Sequence, residues 1–101
     1  MLIVAGHILI EPTHRSAATD AARVMMAATR AEPGCISYTI TADLEDDSLF
    51  HVFEEWRSAE DLQGHFHTPH MATFRHALAG MGLHDARIQQ YAVASSGPLG
   101  G

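Results

Sequence analysis

Aliphatic side chains crowd the first ten positions of the chain, with Leu2, Ile3, Val4, Ala5, Ile8, Leu9 and Ile10 interrupted only by Gly6 and His7. Such density favours a strand over residues 2–11, and Pro12 closes it because its nitrogen has no proton to give a ladder. The period then changes. Ala17, Ala18, Ala21, Ala22, Val24, Met25, Met26 and Ala28 predict a helix over residues 14–32, capped by Thr13 or Ser16 and stopped before Pro33-Gly34. From Cys35 to Thr41, Ile36, Tyr38 and Ile40 alternate with small or polar residues, the period-two pattern of a half-buried strand. The acidic stretch Asp43–Ser48 reads as a turn, and Leu49–Trp56 as the second arm of a hairpin.

Ser58 followed by Asp61 resembles a capping box, with Leu62 and Phe66 at i and i+4 behind it. Thr68-Pro69 marks a second helix start, and Met71, Phe74 and Leu78 form its apolar stripe up to Gly80 or Gly82. A last strand covers residues 86–93, and the tail Ser-Ser-Gly-Pro-Leu-Gly-Gly, residues 95–101, carries too little apolar mass to stay ordered. The order β-α-β-β-α-β predicts an α+β domain of ferredoxin-like topology over residues 1–94, with a flexible C-terminal tail. The first and third strands carry apolar residues on both parities, so both sheet faces want cover. Helices supply one cover, and a two-fold partner is expected to supply the other.

Composition narrows the chemistry. Twelve acidic residues against six Arg and no Lys give a net charge of −6, which repels phosphate backbones and anionic lipid surfaces. Neither nucleic acid nor membrane is an expected partner. The absence of Lys excludes Schiff-base catalysis and a P-loop, and no Gly-rich nucleotide loop occurs. A single Cys35 permits neither an internal disulfide nor a CxxC site, and the apolar start lacks a basic leader, so a reducing cytoplasm is the expected compartment.

Three segments carry a resemblance: Glu32-Pro33-Gly34-Cys35-x-x-Tyr38; Phe53-Glu54-Glu55-Trp56 with Ser58, Leu62, His65 and Phe66; and Pro69-His70. Over residues 2–93 the chain resembles the antibiotic biosynthesis monooxygenase superfamily, and within it the small quinol monooxygenase branch. The resemblance implies a dimeric α+β barrel with an apolar pocket between sheet and helices. It also implies oxidation of hydroquinones or polycyclic phenols by molecular oxygen without metal, flavin or haem. Some catalytic members use a pocket Asn, and this chain has none. The haem-degrading branch places an Asn on strand one, a Trp near the position of His65 and a haem-ligating His about where Arg75 falls, and the match fails at all three.

Oxidation of this kind needs an apolar chamber, a base for a phenolic proton and donors for the oxyanion. His65 is the expected base, since imidazole titrates at roughly pH 6.5 and the residue occupies the family's His position beside Gly64, which would let a ligand approach the backbone. The competing reading is a buried His bonded to a carbonyl. Trp56, Tyr38, Phe66, His70 and His51 are the expected substrate contacts, although Trp56 is as readily core, Tyr38 a chain-bonded barrel residue and His70 a cap. Arg75 and Arg87 are candidate oxyanion partners or solvated side chains. His65, His67 and His70 suggest a metal, but residues two apart on a helix do not share a face, no HExxH occurs and Thr68-Pro69 breaks the run, so no metal and no cofactor is expected. The expected activity is cofactor-independent monooxygenation of a hydroquinone or polycyclic phenol with O2; the alternative is a small-molecule binding module without turnover, with haem binding ranked last.

Overall fold

The computed structural model describes all 101 residues. In chain order the elements are β1 (Leu2–Leu9), α1 (Arg15–Arg30), β2 (Cys35–Ala42), β3 (Leu49–Trp56), α2 (Ala59–Phe66), α3 (Pro69–Ala79) and β4 (Asp85–Ala92), with a 3₁₀ turn at Pro12–His14. The strands form one antiparallel sheet in the order β2-β3-β1-β4, giving a ferredoxin-like α+β fold. The sheet's inner side contributes Val4, Ile8, Tyr38, Ile40, Phe50, Val52 and Trp56 to a core completed by Ala18, Ala22 and Met25 of α1, Leu62 of α2 and Leu78 of α3. Burying side chains such as Phe50 and Leu62 stabilises the fold by ~1.5–3 kcal/mol each.

Local chemistry explains most boundaries and four departures. Strand β1 ends at Leu9 rather than residue 11, yet Ile10 stays fully buried, its N–H donating to the Ser48 carbonyl at 2.9 Å. Neither Thr13 nor Ser16 caps α1: Pro12 opens the 3₁₀ turn, whose carbonyls receive the first amides, and the N-cap position falls to His14 without a side-chain bond. Ile36 belongs to the apolar alternation of β2, but a bulge between Cys35 and Ser37 turns it outward to 48% exposure while Tyr38 and Ile40 stay inside. On α2 the buried pair is Leu62 with His65, not Phe66, because the i, i+3 spacing is the one that faces the sheet. The caps of α2 and α3 follow the sequence pattern: Ser58 Oγ accepts from the Asp61 N–H at 3.1 Å, and Thr68 Oγ1 from the Met71 N–H at 3.3 Å.

Two glycines are required by packing. A Cβ on Gly6 would lie 2.0 Å from the Arg87 carbonyl oxygen, so only Gly lets β4 approach β1 there. Gly34, at φ +80°, turns the chain between α1 and β2 directly under Asp61, whose side chain occupies the space a Cβ would need. That turn fixes where Glu32 points. The outer sheet side carries Ile3, Ala5, Leu9, Phe53 and Tyr91 among polar residues, with Phe53 and Tyr91 close to half exposed. Residues 95–101 form no helix or strand, and no helix of the chain is long and apolar enough to cross a membrane.

Candidate functional site

The parity of β3 decides which side chains meet the helices. Phe50, Val52, Glu54 and Trp56 face inward, whereas His51, Phe53 and Glu55 face the outer side of the sheet. Glu54 is therefore a carboxyl set among core residues, 6% exposed, and its cross-strand neighbour on β2 is Tyr38, 3% exposed. Between these residues and α3 lies a cavity of about 210 Å³, walled by Ile40 and Val52 of the sheet and Phe74 and Leu78 of the helix. Tyr38, Glu54 and Arg75 are its polar lining, with Arg75 exposed at the rim.

Burial dominates the electrostatics here. Loss of water pushes the Glu54 carboxyl up to about 7, a hydrogen bond from Trp56 Nε1 to Glu54 Oε1 at 2.9 Å offsets part of that, and the nearby Glu32 charge adds to the rise. The same burial, reinforced by the charges of Glu54 and Glu32, moves the Tyr38 phenol above its ordinary range, so it remains a protonated donor. The cavity thus pairs a carboxyl that titrates near neutrality with a hydroxyl that does not. Burial likewise raises the Cys35 thiol, which keeps it protonated and a weak nucleophile.

A second cluster stands behind the first. Glu32 at the end of the α1 segment, His65 in the last turn of α2 and His70 in the first turn of α3 converge on one atom: His65 Nδ1 lies 2.6 Å and His70 Nε2 2.7 Å from Glu32 Oε2. With Glu32 ionised, both ring N–H groups donate to that oxygen, and His65 is left with Nε2 as its lone-pair nitrogen. Nε2 is buried and has no hydrogen-bond partner. The His65 ring packs edge-on to Tyr38 at 5.4 Å and tilted on Trp56 at 4.9 Å between centroids.

Placed against the sequence expectations, Tyr38 lines the cavity. The other five do not. His65 sits one layer back, screened by the Tyr38 ring, because α2 approaches the sheet at Trp56 rather than over the cavity. Trp56, 0% exposed, is core that orients Glu54 through its indole N–H. Phe66 is 37% exposed on the outer side of α2, and His70 is drawn to Glu32. His51, on the opposite parity, bonds Asp43 at 2.8 Å on the outer sheet face and helps hold that carboxyl down at about 2. Gly64 serves no close approach, since a Cβ there would meet open space. Glu54 and Glu32 were missed as site residues. The signal for Glu54 was available: a charged residue on the parity shared by Phe50, Val52 and Trp56.

The profile of a family described as antibiotic biosynthesis monooxygenase matches residues 1–77. An uncharacterized protein of the cyanobacterium Synechocystis sp. is 32% identical over 98 residues, covering 97% of this chain and 67% of that protein. Among solved structures, one from Pseudomonas aeruginosa is 30% identical over 93% of this chain and 94% of its own, with a TM-score of 0.83. A proposed antibiotic biosynthesis monooxygenase of Deinococcus radiodurans covers both chains completely at a TM-score of 0.91 and 24% identity, a likeness of fold. With the matched residues spanning β1 to α3 and including Glu32, Tyr38, Glu54, Trp56, His65 and His70, this chain belongs to the antibiotic biosynthesis monooxygenase family.

Proposed function

We propose that this chain is a cofactor-independent monooxygenase that oxidises a hydroquinone of one or two rings with molecular oxygen in the cavity beneath α3. The observation that supports this reading is one buried carboxyl, Glu54, set across the strand ladder from one buried phenol, Tyr38, in an otherwise apolar chamber. Volume bounds the substrate. A cavity of ~150 Å³ accommodates benzene and drug-sized ligands occupy ~300–1,000 Å³, so 210 Å³ suits a small hydroquinone better than a polycyclic phenol.

In this reading Glu54 takes the role expected of His65. As a carboxylate it accepts the phenolic proton, and its upward shift to about 7 brings it closer to a phenol's pKa of ~10, which makes the transfer less uphill. Tyr38 donates its O–H to the resulting oxyanion, and Arg75 adds positive charge at the rim. The deprotonated substrate supplies the electrons to O2. One oxygen atom enters the ring and the other leaves as water, so hydroquinone plus O2 gives hydroxyquinone plus water with no external reductant. The working unit is proposed to be a homodimer joined through the outer sheet face, where Ile3, Ala5, Phe53 and Tyr91 lie without cover from their own chain.

The test is oxygen uptake by purified protein with a panel of benzo- and naphthohydroquinones, mixed anaerobically and then exposed to air. Uptake above autoxidation that disappears in Glu54→Gln supports the assignment. Saturable ligand binding without uptake for every substrate would replace it with the non-catalytic binding module. Light scattering on the same sample reads the dimer, and a monodisperse species near 11.0 kDa would remove it.

A further inference from the structure

The cluster behind the cavity has the composition of a metal site. Glu32, His65 and His70 come from three different segments, and their candidate donor atoms lie within 4.8 Å of one another. Two imidazoles and one carboxylate are the donor set that borderline divalent cations such as zinc and cobalt favour. Side-chain exposure falls from 23% at His70 through 10% at Glu32 to 1% at His65, so a cation held here would have one open side and an otherwise dry shell. The intervening Thr68-Pro69 step makes the geometry possible. By ending α2 and restarting the chain as α3, it turns His70 back toward His65, which an uninterrupted helix would not do.

A second observation points to a cation. Beside Glu32 the surface opens into a depression of about 420 Å³ lined by Glu32, Pro33, Glu60, Asp61, Gly64 and Thr68, which contributes three carboxylates and no basic side chain. A mouth of that charge concentrates cations. Gly64 has nothing within 4 Å of where a Cβ would stand, so the approach at that point is unobstructed. Glu32 Oε1 makes no protein hydrogen bond, and the carboxylate is anchored only by the two imidazoles.

We propose that Glu32, His65 and His70 form a three-ligand site for a divalent d-block cation, distinct from the substrate cavity. The present 2.6 and 2.7 Å separations are hydrogen-bond lengths. Donors held 2.0–2.1 Å from one tetrahedral metal stand roughly 3.3 Å apart, so loading moves the carboxylate oxygen back by about 0.6–0.7 Å and brings all three donors, now within 4.8 Å of one another, to that spacing. Coordination through His65 Nδ1 shifts that ring's proton to Nε2, which has no protein hydrogen-bond partner, in a ring whose nearest aromatic neighbours are Trp56 and Tyr38.

The experiment is titration of the full chain, stripped with EDTA, with Co²⁺, read by its visible d–d absorption and by calorimetry. One cobalt per chain with the strong absorption of low coordination number is expected. His70→Ala and Glu32→Gln should each weaken binding by roughly 10–100-fold with unchanged far-UV circular dichroism, whereas exposed His67→Ala should leave it unaltered. Absence of saturable one-per-chain uptake by the wild-type chain would overturn the proposal. Uptake unaffected by His70→Ala and Glu32→Gln, or weakened equally by His67→Ala, would overturn it as well. Oxygen uptake with hydroquinones is a separate measurement, so failure of either reading leaves the other standing.

Discussion

Glu54 and Glu32 are both carboxylates placed in the interior, and they are treated oppositely. Glu54 receives one indole N–H and is otherwise enclosed by apolar walls, so its charge is poorly compensated and its protonated form is favoured up to about pH 7. Glu32 receives two imidazole N–H groups on a single oxygen and borders an open acidic depression. The difference lies in partners rather than depth alone: Glu32 is fixed in place by two imidazoles, whereas Glu54, with one indole donor and apolar walls, has its pKa raised toward neutrality. That contrast is why the two are assigned different work, proton transfer at Glu54 and cation binding at Glu32.

The largest effect that can break the contrast is on turnover. Glu54→Gln keeps the shape and the acceptor for Trp56 but cannot take a proton, so hydroquinone oxidation should fall by ~10²–10⁴. A rate within a few-fold of wild type would transfer the base role elsewhere, with His65 next in line.

Stability should move the other way. An unfolded Glu ionises near pH 4.5 while folded Glu54 holds its proton to about 7, so the unfolded state gains negative charge first and folding stability falls as pH rises through that window. Below it there is no penalty, and above it the penalty is constant at roughly 3 kcal/mol. Urea midpoints of wild type and Glu54→Gln should therefore converge at pH 4 and separate by pH 8, with the variant more stable at pH 8. Parallel curves would remove the elevated pKa.

Glu32→Gln sharpens the other side. The amide offers one acceptor in place of a charged one, so a cost of ~1–3 kcal/mol is expected from weakened bonds to buried His65, with the Glu54-dependent pH slope still present but reduced, since the Glu32 charge no longer adds to the Glu54 shift. Denaturant melts at pH 5 and pH 8 check both parts. The smallest effect belongs to His51→Ala: its bond to Asp43 lies on the outer face, away from both clusters, and oxygen uptake should stay within twofold of wild type. A substantial loss of uptake would connect the outer face to the cavity.

Much of this was legible along the chain. Element order, the Ser58 and Thr68 caps and the Pro33-Gly34 stop are local, set by propensities and hydrogen bonds that span a few residues, and they appear in the structure near their expected positions. The family was legible too, since three short segments around Glu32, Glu54 and Pro69 each read locally and stand in a consistent order along the chain. Apolar residues on both parities of β3 left open which of its faces meets the helices.

Tertiary structure decided the rest. Whether β3 presents Glu54 or Glu55 to the interior depends on where the helices lie, and the bulge that expels Ile36 depends on pairing with β3; neither is a property of one strand. Helix spacing alone could not reveal the Glu32 cluster, because Glu32 lies 33 residues from His65 and 38 from His70 and meets them only when α2 and α3 dock against the turn after α1. His65 likewise matched the family's histidine in sequence but stands behind the Tyr38 ring in space. Short-range periodicity fixes which face a residue occupies. Which residues from distant segments share a site is set by packing, where burial and partner count, not residue type, assign each ionisable group its chemistry.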